Sequence, residues 1–365
     1  MGKIHNFVRH NKLYVALAVF ILLINLLSMA GHRAEEARQA EVAATEEVAA
    51  EEVQEEPEEQ EAELFGDEDI AARQQKIKDL AVENPLLYIF IGLVNLAILF
   101  VIFLGFIFDG CFLVRFFKKE PLNIRLEQQE TPRWGLGDVM RVILIFLASG
   151  YAFIIIQAFI SKEFPILYNE NFRMIFNTAM MNIVGISVIL YFVVTKYGQK
   201  IKAIGLTSKG FSKSVYYAIV GYVCLVPVLF CIMVITYFVT HLLRYEPPVQ
   251  PIVEVFMKEK ETIVLLMSTL FAAIFGPIAE EIFFRGFMYG AVKKSFGVFW
   301  GMVVTASIFA VLHAHAVGFF PIMALGLLLA YLYEKTGSLV PSMAVHIIHN
   351  VGMVVLVFLM RGIGT

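Results

Sequence analysis

A polytopic, all-α membrane helix bundle, with an eight-helix core and an N-terminal anchor helix, is the fold class this sequence predicts. Three observations predict it. Hydrophobic residues make up 59% of the 365, and mean hydropathy is +0.73, whereas a soluble domain holds roughly 45 to 50% apolar residues. Nine apolar segments follow one another, each near the length that crosses a hydrocarbon core of about 30 Å. Lysine and arginine gather after alternate segments, as they do in cytoplasmic loops of membrane proteins.

The first segment runs from Leu13 to Ala30, behind Lys3, Arg9 and Lys12. Ser28-x-Ala30 has the small residues of a cleavage site, yet the run exceeds the roughly 7 to 15 residues of a signal core. An uncleaved anchor over 1–31 is therefore the expectation. An acidic linker over 32–84 comes next, with sixteen acids against one base, Arg38, between Glu35 and Asp69. It holds too few large apolar residues to offset the entropy of ordering, so it reads as solvated chain. The chain outside that stretch keeps 16 of the 32 acids and 28 of the 29 bases, so the membrane domain, 85–365, is basic although the whole chain is −3. No nucleic-acid partner is expected.

Eight further segments run approximately Leu86 to Phe108, Val139 to Ile160, Met174 to Thr195, Val215 to Leu242, Thr262 to Tyr289, Val298 to His313, Phe319 to Tyr333 and Ser342 to Met360. Basic clusters follow the second (Arg115, Lys118, Lys119, Arg125, Arg133), the fourth (Lys196, Lys200, Lys202, Lys209, Lys213) and the sixth (Lys293, Lys294). This pattern predicts a cytoplasmic N-terminus in a plasma (inner) membrane, with the acidic linker outside. Asn95, Gln157, Asn177 and Asn182 are assigned to hydrogen bonds between helices. Glu246-Pro247-Pro248 with Pro251 reads as a stiff extended connector. Cys111, Cys224 and Cys231 form no C-x-x-C and do not define a redox compartment.

Chemistry concentrates in 279–350. Glu280 and Glu281 follow the apolar run Thr262 to Ala279. Ionised carboxylates are costly in hydrocarbon and usually face a wet cavity and carry function. On a helix Glu281 and Arg285 are i and i+4 and share a face, where the arginine neutralises that acid. Glu280 points about 100° away and is left for general-base work. His313 ends the next segment as Phe309-x-x-x-His313, and His346-x-x-x-Asn350 sits in the last. If these clusters converge, Glu280 and His313 hold a water, while His346 and Asn350 donate to the developing oxyanion.

Depth leaves that convergence open. At 1.5 Å per residue, Glu280 is at most about 20 Å from Lys293 and His313 about 22 Å past Val298, whereas His346 lies about 8 Å past Pro341. Zinc held by Glu280, His313 and His346 is the alternative to a metal-free site, with His315 and His349 nearby. The absence of H-E-x-x-H and the pairing of His346 with Asn350 favour no metal and no other cofactor.

The motifs E-E-I-F-F-R-G, F-A-V-L-H and T-G-S-L-V-P-S-M-A-V-H-I-I-H-N resemble those of the CPBP family, the CAAX prenyl endopeptidases and bacteriocin-processing enzymes also called ABI proteins. The resemblance covers roughly Asp138 to Met360. It implies an intramembrane endopeptidase of eight helices acting on a membrane-associated peptide or protein, with Glu280, His313, His346 and Asn350 catalytic and Glu281 and Arg285 in support. Two rivals are a noncatalytic immunity or scaffold protein of the same fold and an ion- or proton-coupled transporter. No internal repeat of the kind many transporters carry is visible.

Overall fold

The computed structural model describes residues 11–26, 75, 81–120, 129–245 and 250–362. Nearly all of the expected acidic linker lies outside them. The chain divides into two compact units, Met1–Tyr88 and Ile89–Thr365. The first unit contains a short apolar helix, α1 (Lys12–Leu26), within the expected anchor; the rest of that run, 27–30, is outside the described residues.

Every other major element is helical too, and among the described residues there is no strand. The spans are α2 (Pro85–Phe117), α3 (Leu136–Ile160), α4 (Glu170–Lys196), α5 (Phe211–Leu242), an unbroken-looking run Thr262–Leu312, α9 (Phe319–Thr336) and α10 (Val340–Gly362). The long run turns back at Gly297, whose φ of 82° and ψ of 174° are not helical. It is therefore two helices, α7 (262–296) and α8 (298–312), which makes eight core helices among the described residues. Several helices outrun their apolar segments, because a helix continues into the polar layer once its ends carry charged residues.

One expectation needs correcting. Pro251 starts a helix, α6 (Pro251–Lys258), in place of extending a connector; Glu246-Pro247-Pro248 lie outside the described residues. Proline fits the first helical turn, where its missing N–H has no partner to lose. The polar side chains of the spans also behave differently from expectation: Gln157 Nε2 and Asn177 Oδ1 are buried without a hydrogen bond among the described residues. α2 touches α5 where Pro227, lacking an N–H, frees the carbonyl of Val223. A Cβ on Gly105 would come 2.4 Å from that oxygen and 2.5 Å from the Pro227 ring.

The lysine-rich ends of the helices are held together by a strap, residues 129–135. Gln129 donates to Tyr333 O and accepts from Lys293. Lys293 also pairs with Glu334 at 2.6 Å, and Glu130 with Lys202 at 3.0 Å. Trp134, fully buried, stacks on Phe287 and donates to its carbonyl at 2.8 Å. Beside it the Asp138 carboxylate accepts from Arg141, Lys196 and Tyr197. Burial and the neighbouring Asp138 carboxylate push the Tyr197 phenol above its ordinary value.

At the opposite end a single carboxylate ties three segments. Glu259 accepts from Asn171 at 2.7 Å, from Asn169, and from the backbone of Lys260 and Glu261, while Arg361 at the end of α10 donates to its backbone carbonyl. These donors, Asn171 first, hold Glu259 below its ordinary 4.5. A depressed carboxylate stabilises the fold above its unfolded pKa, and that contribution is lost as pH falls through the folded value. The melting temperature should drop below about pH 4.5 in the wild type and lose that part of its slope in Glu259→Gln.

Gly205 supplies a second check. Its φ is +79°, its carbonyl accepts from Leu339 N, and an added Cβ would sit 2.4 Å from the Tyr333 ring. Gly205→Ala combines left-handed strain with a clash, so a loss of about 2 to 4 kcal/mol is expected by thermal or denaturant unfolding in detergent.

Candidate active site

The two glutamates sit on a short α-helical turn, Gly276–Glu281, between two π-helical stretches, Phe271–Phe275 and Ile282–Tyr289. The first wide turn has a local cause. Gly276 N bonds back five residues to Phe271 O, so the next donor in that register belongs to Pro277, which has none. Ala272 O is thereby left without a helical partner, and the side-chain amide of Asn350 on α10 supplies the bond at 2.8 Å. A Cβ on Gly276 would come within a tight 3.0 Å of Phe271 O, but would make only an ordinary contact of 3.9 Å with Glu280 Oε1.

Glu281 and Arg285 are both fully buried and meet at 2.6 Å. Each of the following helices contributes to this pair. From α8, Phe309 places its ring 4.6 Å from the guanidinium. Gly326 of α9 accepts from Arg285 Nη2 at 3.2 Å, a close approach that a Cβ would crowd against Ala306 at 3.1 Å. From α10, His346 Nδ1 lies 3.0 Å from the same Glu281 oxygen. Glu281 Oε2 and Arg285 Nε stay buried without a partner among the described residues.

Glu280 is different. Its side chain is 35% exposed, and its Oε2 is 3.7 Å from His346 Nε2. The imidazole of His346, 2% exposed, thus stands between the two carboxylates. Since the Arg285-paired carboxylate of Glu281 can only accept, His346 Nδ1 carries the hydrogen, and Nε2 is the nitrogen turned toward Glu280.

His313 caps α8, exposed, with Nδ1 2.7 Å from Phe309 O. A carbonyl only accepts, so Nδ1 donates and Nε2 is left as the acceptor nitrogen of the neutral ring. The Phe309 ring makes edge contacts with both imidazoles, at 4.7 Å for His313 and 5.5 Å for His346. Among the described residues no hydrogen bond or ion pair joins His313 to Glu280. The structure therefore brings Glu280, Glu281, Arg285 and His346 into contact, and links His313 to them through one phenyl ring.

The expected mismatch in depth for His346 is not present. A Cβ on Gly286 would meet Leu339 Cδ1 at 3.4 Å, so these two residues lie at one level. Glu281 is five residues beyond Gly286 and His346 seven beyond Leu339, which brings both to similar depth. Lys293 was a misleading reference, because α7 continues well past Gly286 before it turns at Gly297.

Two other histidines face elsewhere. His349 pairs with Tyr222 of α5 at 3.3 Å. His315 Nδ1 accepts from Gly318 N in the loop before α9. Among the described residues no three His, Cys, Asp or Glu side chains are grouped as they would be to hold a metal ion. Phe309 and Pro277 are the residues that sequence reasoning passed over. Pro277 carried a usable signal, since a proline inside an apolar span always leaves a carbonyl to be satisfied.

Comparison with known proteins bears on the same segment. Residues 262–352 match the family model described as Type II CAAX prenyl endopeptidase Rce1-like. The Bacillus subtilis (strain 168) protein named "Putative membrane peptidase YdiL" is 28% identical over 90 residues, 25% of this chain and 37% of that relative. The chain thus spans little more than a third of the curated relative's length. No solved structure matches. The resemblance read from the motifs agrees with this match: over 262–352 this integral, multi-pass membrane protein is similar to the CAAX prenyl endopeptidase Rce1-like family.

The buried pair generates a direct prediction. Glu281→Gln strands Arg285 in a low-dielectric site and should cost about 3 to 5 kcal/mol. The double variant Glu281→Leu with Arg285→Met, measured beside it by thermal unfolding in detergent, should regain most of that loss.

Proposed function

We propose that this protein is an intramembrane endopeptidase, hydrolysing a peptide bond in a membrane-associated peptide or protein. The observation that carries the reading is the division between the two adjacent glutamates. Glu281 is sealed against Arg285 and His346, whereas Glu280 keeps a partly open carboxylate beside the same imidazole. A closed ion pair supporting an open carboxylate is a suitable arrangement for general-base catalysis inside a membrane.

In this mechanism a water bound between Glu280 and His313 Nε2 gives a proton to Glu280 as its oxygen attacks the carbonyl carbon. The carbonyl π electrons move to oxygen. His346 donates to that oxyanion from Nε2, which requires the imidazolium because Nδ1 already donates to Glu281. Asn350 uses one amide hydrogen on Ala272 O and has the second for the oxyanion. Each such donor contributes about 3 kcal/mol. As the tetrahedral intermediate collapses, the C–N bond breaks and Glu280 returns the proton to the leaving amine. The separation of His313 from Glu280 favours the noncatalytic scaffold alternative, although catalytic hydrogen bonds often tighten only with substrate bound.

The lysine-rich helix ends support a cytoplasmic N-terminus and an inner-membrane location. Metal-free chemistry is part of the proposal. Elemental analysis of active protein, with activity followed through chelation and zinc readdition, checks it: near-stoichiometric zinc whose removal abolishes activity and whose return restores it would reject the metal-free route.

Co-expression with candidate substrates tests the core of the proposal. Glu280→Gln should leave the melting temperature close to that of the wild type and abolish turnover, so that uncleaved substrate accumulates. Unchanged proteolysis by purified Glu280→Gln protein would sink the assignment. Deletion of 35–69, the acidic stretch, should leave cleavage of a detergent-solubilised substrate largely unchanged.

A further inference from the structure

Helix α2 is the span that its own chain covers least. Of its 33 residues Gly105 alone is buried, and its most apolar stretch contains no buried residue, against 17 to 39% of the corresponding stretches in the other spans. An apolar helix facing lipid needs no explanation by itself, but Asn95 does. It is exposed, nine residues after Leu86 and thirteen before Phe108. Its carboxamide therefore sits about 14 Å from one end of the apolar run and about 20 Å from the other, well inside a hydrocarbon layer about 30 Å thick.

A carboxamide carries one acceptor oxygen and two donor hydrogens, and lipid chains offer nothing to bond them. Asn25 of α1 meets the same need by donating to Ile21 O of its own helix at 2.8 Å. Asn95 makes no such bond, and none to another helix, among the described residues. The expectation that it bonds between helices is therefore unmet within one copy of the chain. Its side of α2 has a further pattern: Gly92, Leu99, Phe106 and Leu113 recur every seven residues, and all are exposed. Asn95, three residues from Gly92 and four from Leu99, shares that stripe. A seven-residue apolar repeat is the seam along which two helices wind around each other. At Gly92 an added Cβ would meet nothing within 4 Å, so a second backbone can approach there as it does at small residues in paired membrane helices.

Symmetry decides the occupant. Two copies inserted with the same topology pair about an axis along the bilayer normal, so residue 95 of one meets residue 95 of the other at equal depth. An amide is its own complement in that position, since each oxygen accepts an N–H of its twin. We infer that α2 is the interface of a parallel homodimer, in which Asn95 bonds to Asn95 of a second copy across the two-fold axis. An unrelated helix would satisfy Asn95 only by holding a polar group at the same depth. Helix α2 lies outside residues 262–352, and the inference is independent of the proteolytic reading.

The experiment uses the full chain in lipid vesicles, with Cys111, Cys224 and Cys231 replaced by alanine. Single-molecule photobleaching at falling protein-to-lipid ratios should show a dimer giving way to a monomer. Asn95→Leu should weaken dimerisation about five- to thirty-fold, the equivalent of an interhelical hydrogen bond of about 1 to 2 kcal/mol. Asn95→Gln, which keeps the amide, should restore most of that loss. Leu99→Cys, with Asn95 retained, should form a disulfide-linked dimer under a lipid-soluble oxidant. Ala97→Cys, exposed on another side of α2 at nearly the same depth, should not. A chain that stays monomeric at every ratio, a dimer that Asn95→Leu leaves unchanged, or Ala97→Cys that cross-links as readily as Leu99→Cys overturns the inference. Cross-linking of Leu99→Cys in native membranes to a different protein, or to a cysteine placed in α1 of the same chain, would give this face another occupant and overturn it as well.

Discussion

The buried contact between Glu281 and Arg285 is the constraint on which the second half of the bundle depends. Two opposite charges have been withdrawn from water, and their mutual attraction offsets that cost only if further hydrogen bonds satisfy what remains. Those partners come from three different helices: the Phe309 ring, the Gly326 carbonyl and the His346 imidazole. A pair on one helix thereby dictates where the next three must stand. The 129–135 strap at the lysine-rich face and the Glu259 junction then hold the two ends of α4 and α7, so tilt of either is resisted at both faces.

The same contact fixes proton positions. Once Arg285 makes Glu281 an acceptor, His346 has no choice of tautomer at Nδ1, and its remaining nitrogen faces Glu280. His313 is fixed independently by a backbone carbonyl of its own helix. Two imidazoles are thus oriented by two unrelated acceptors, and Phe309 sets the spacing between them. Rotation of either ring would break its hydrogen bond.

Much of this was legible in the chain. Apolar run lengths gave the helix count, and the i,i+4 spacing put Glu281 and Arg285 on one face, where they touch. The family motifs agree with the match to residues 262–352. What could not be read was relative height. Lysines mark a polar layer, but a helix can run several turns beyond it, as α7 does before Gly297, so a depth counted from Lys293 sets Glu280 too deep relative to His346. The partner of Asn350 was also hidden. Spacing shows that Asn350 shares a face with His346, but the recipient of its amide is a backbone carbonyl, which no residue pattern displays. His349 illustrates a related limit, since its partner Tyr222 lies on a helix more than a hundred residues earlier.

The bond between Asn350 and Ala272 has a consequence for how the helices fit together. Pro277 removes a donor from α7, and the replacement arrives from α10, 78 residues away in sequence. Shape alone permits two apolar helices to slide past one another by a turn with little change in contact. A carbonyl in hydrocarbon does not permit it, because no solvent is there to substitute for the lost donor. The proline and the amide therefore act as a tooth and a notch that index α10 against α7 at a single setting, and the height of His346 relative to the glutamates follows from that indexing.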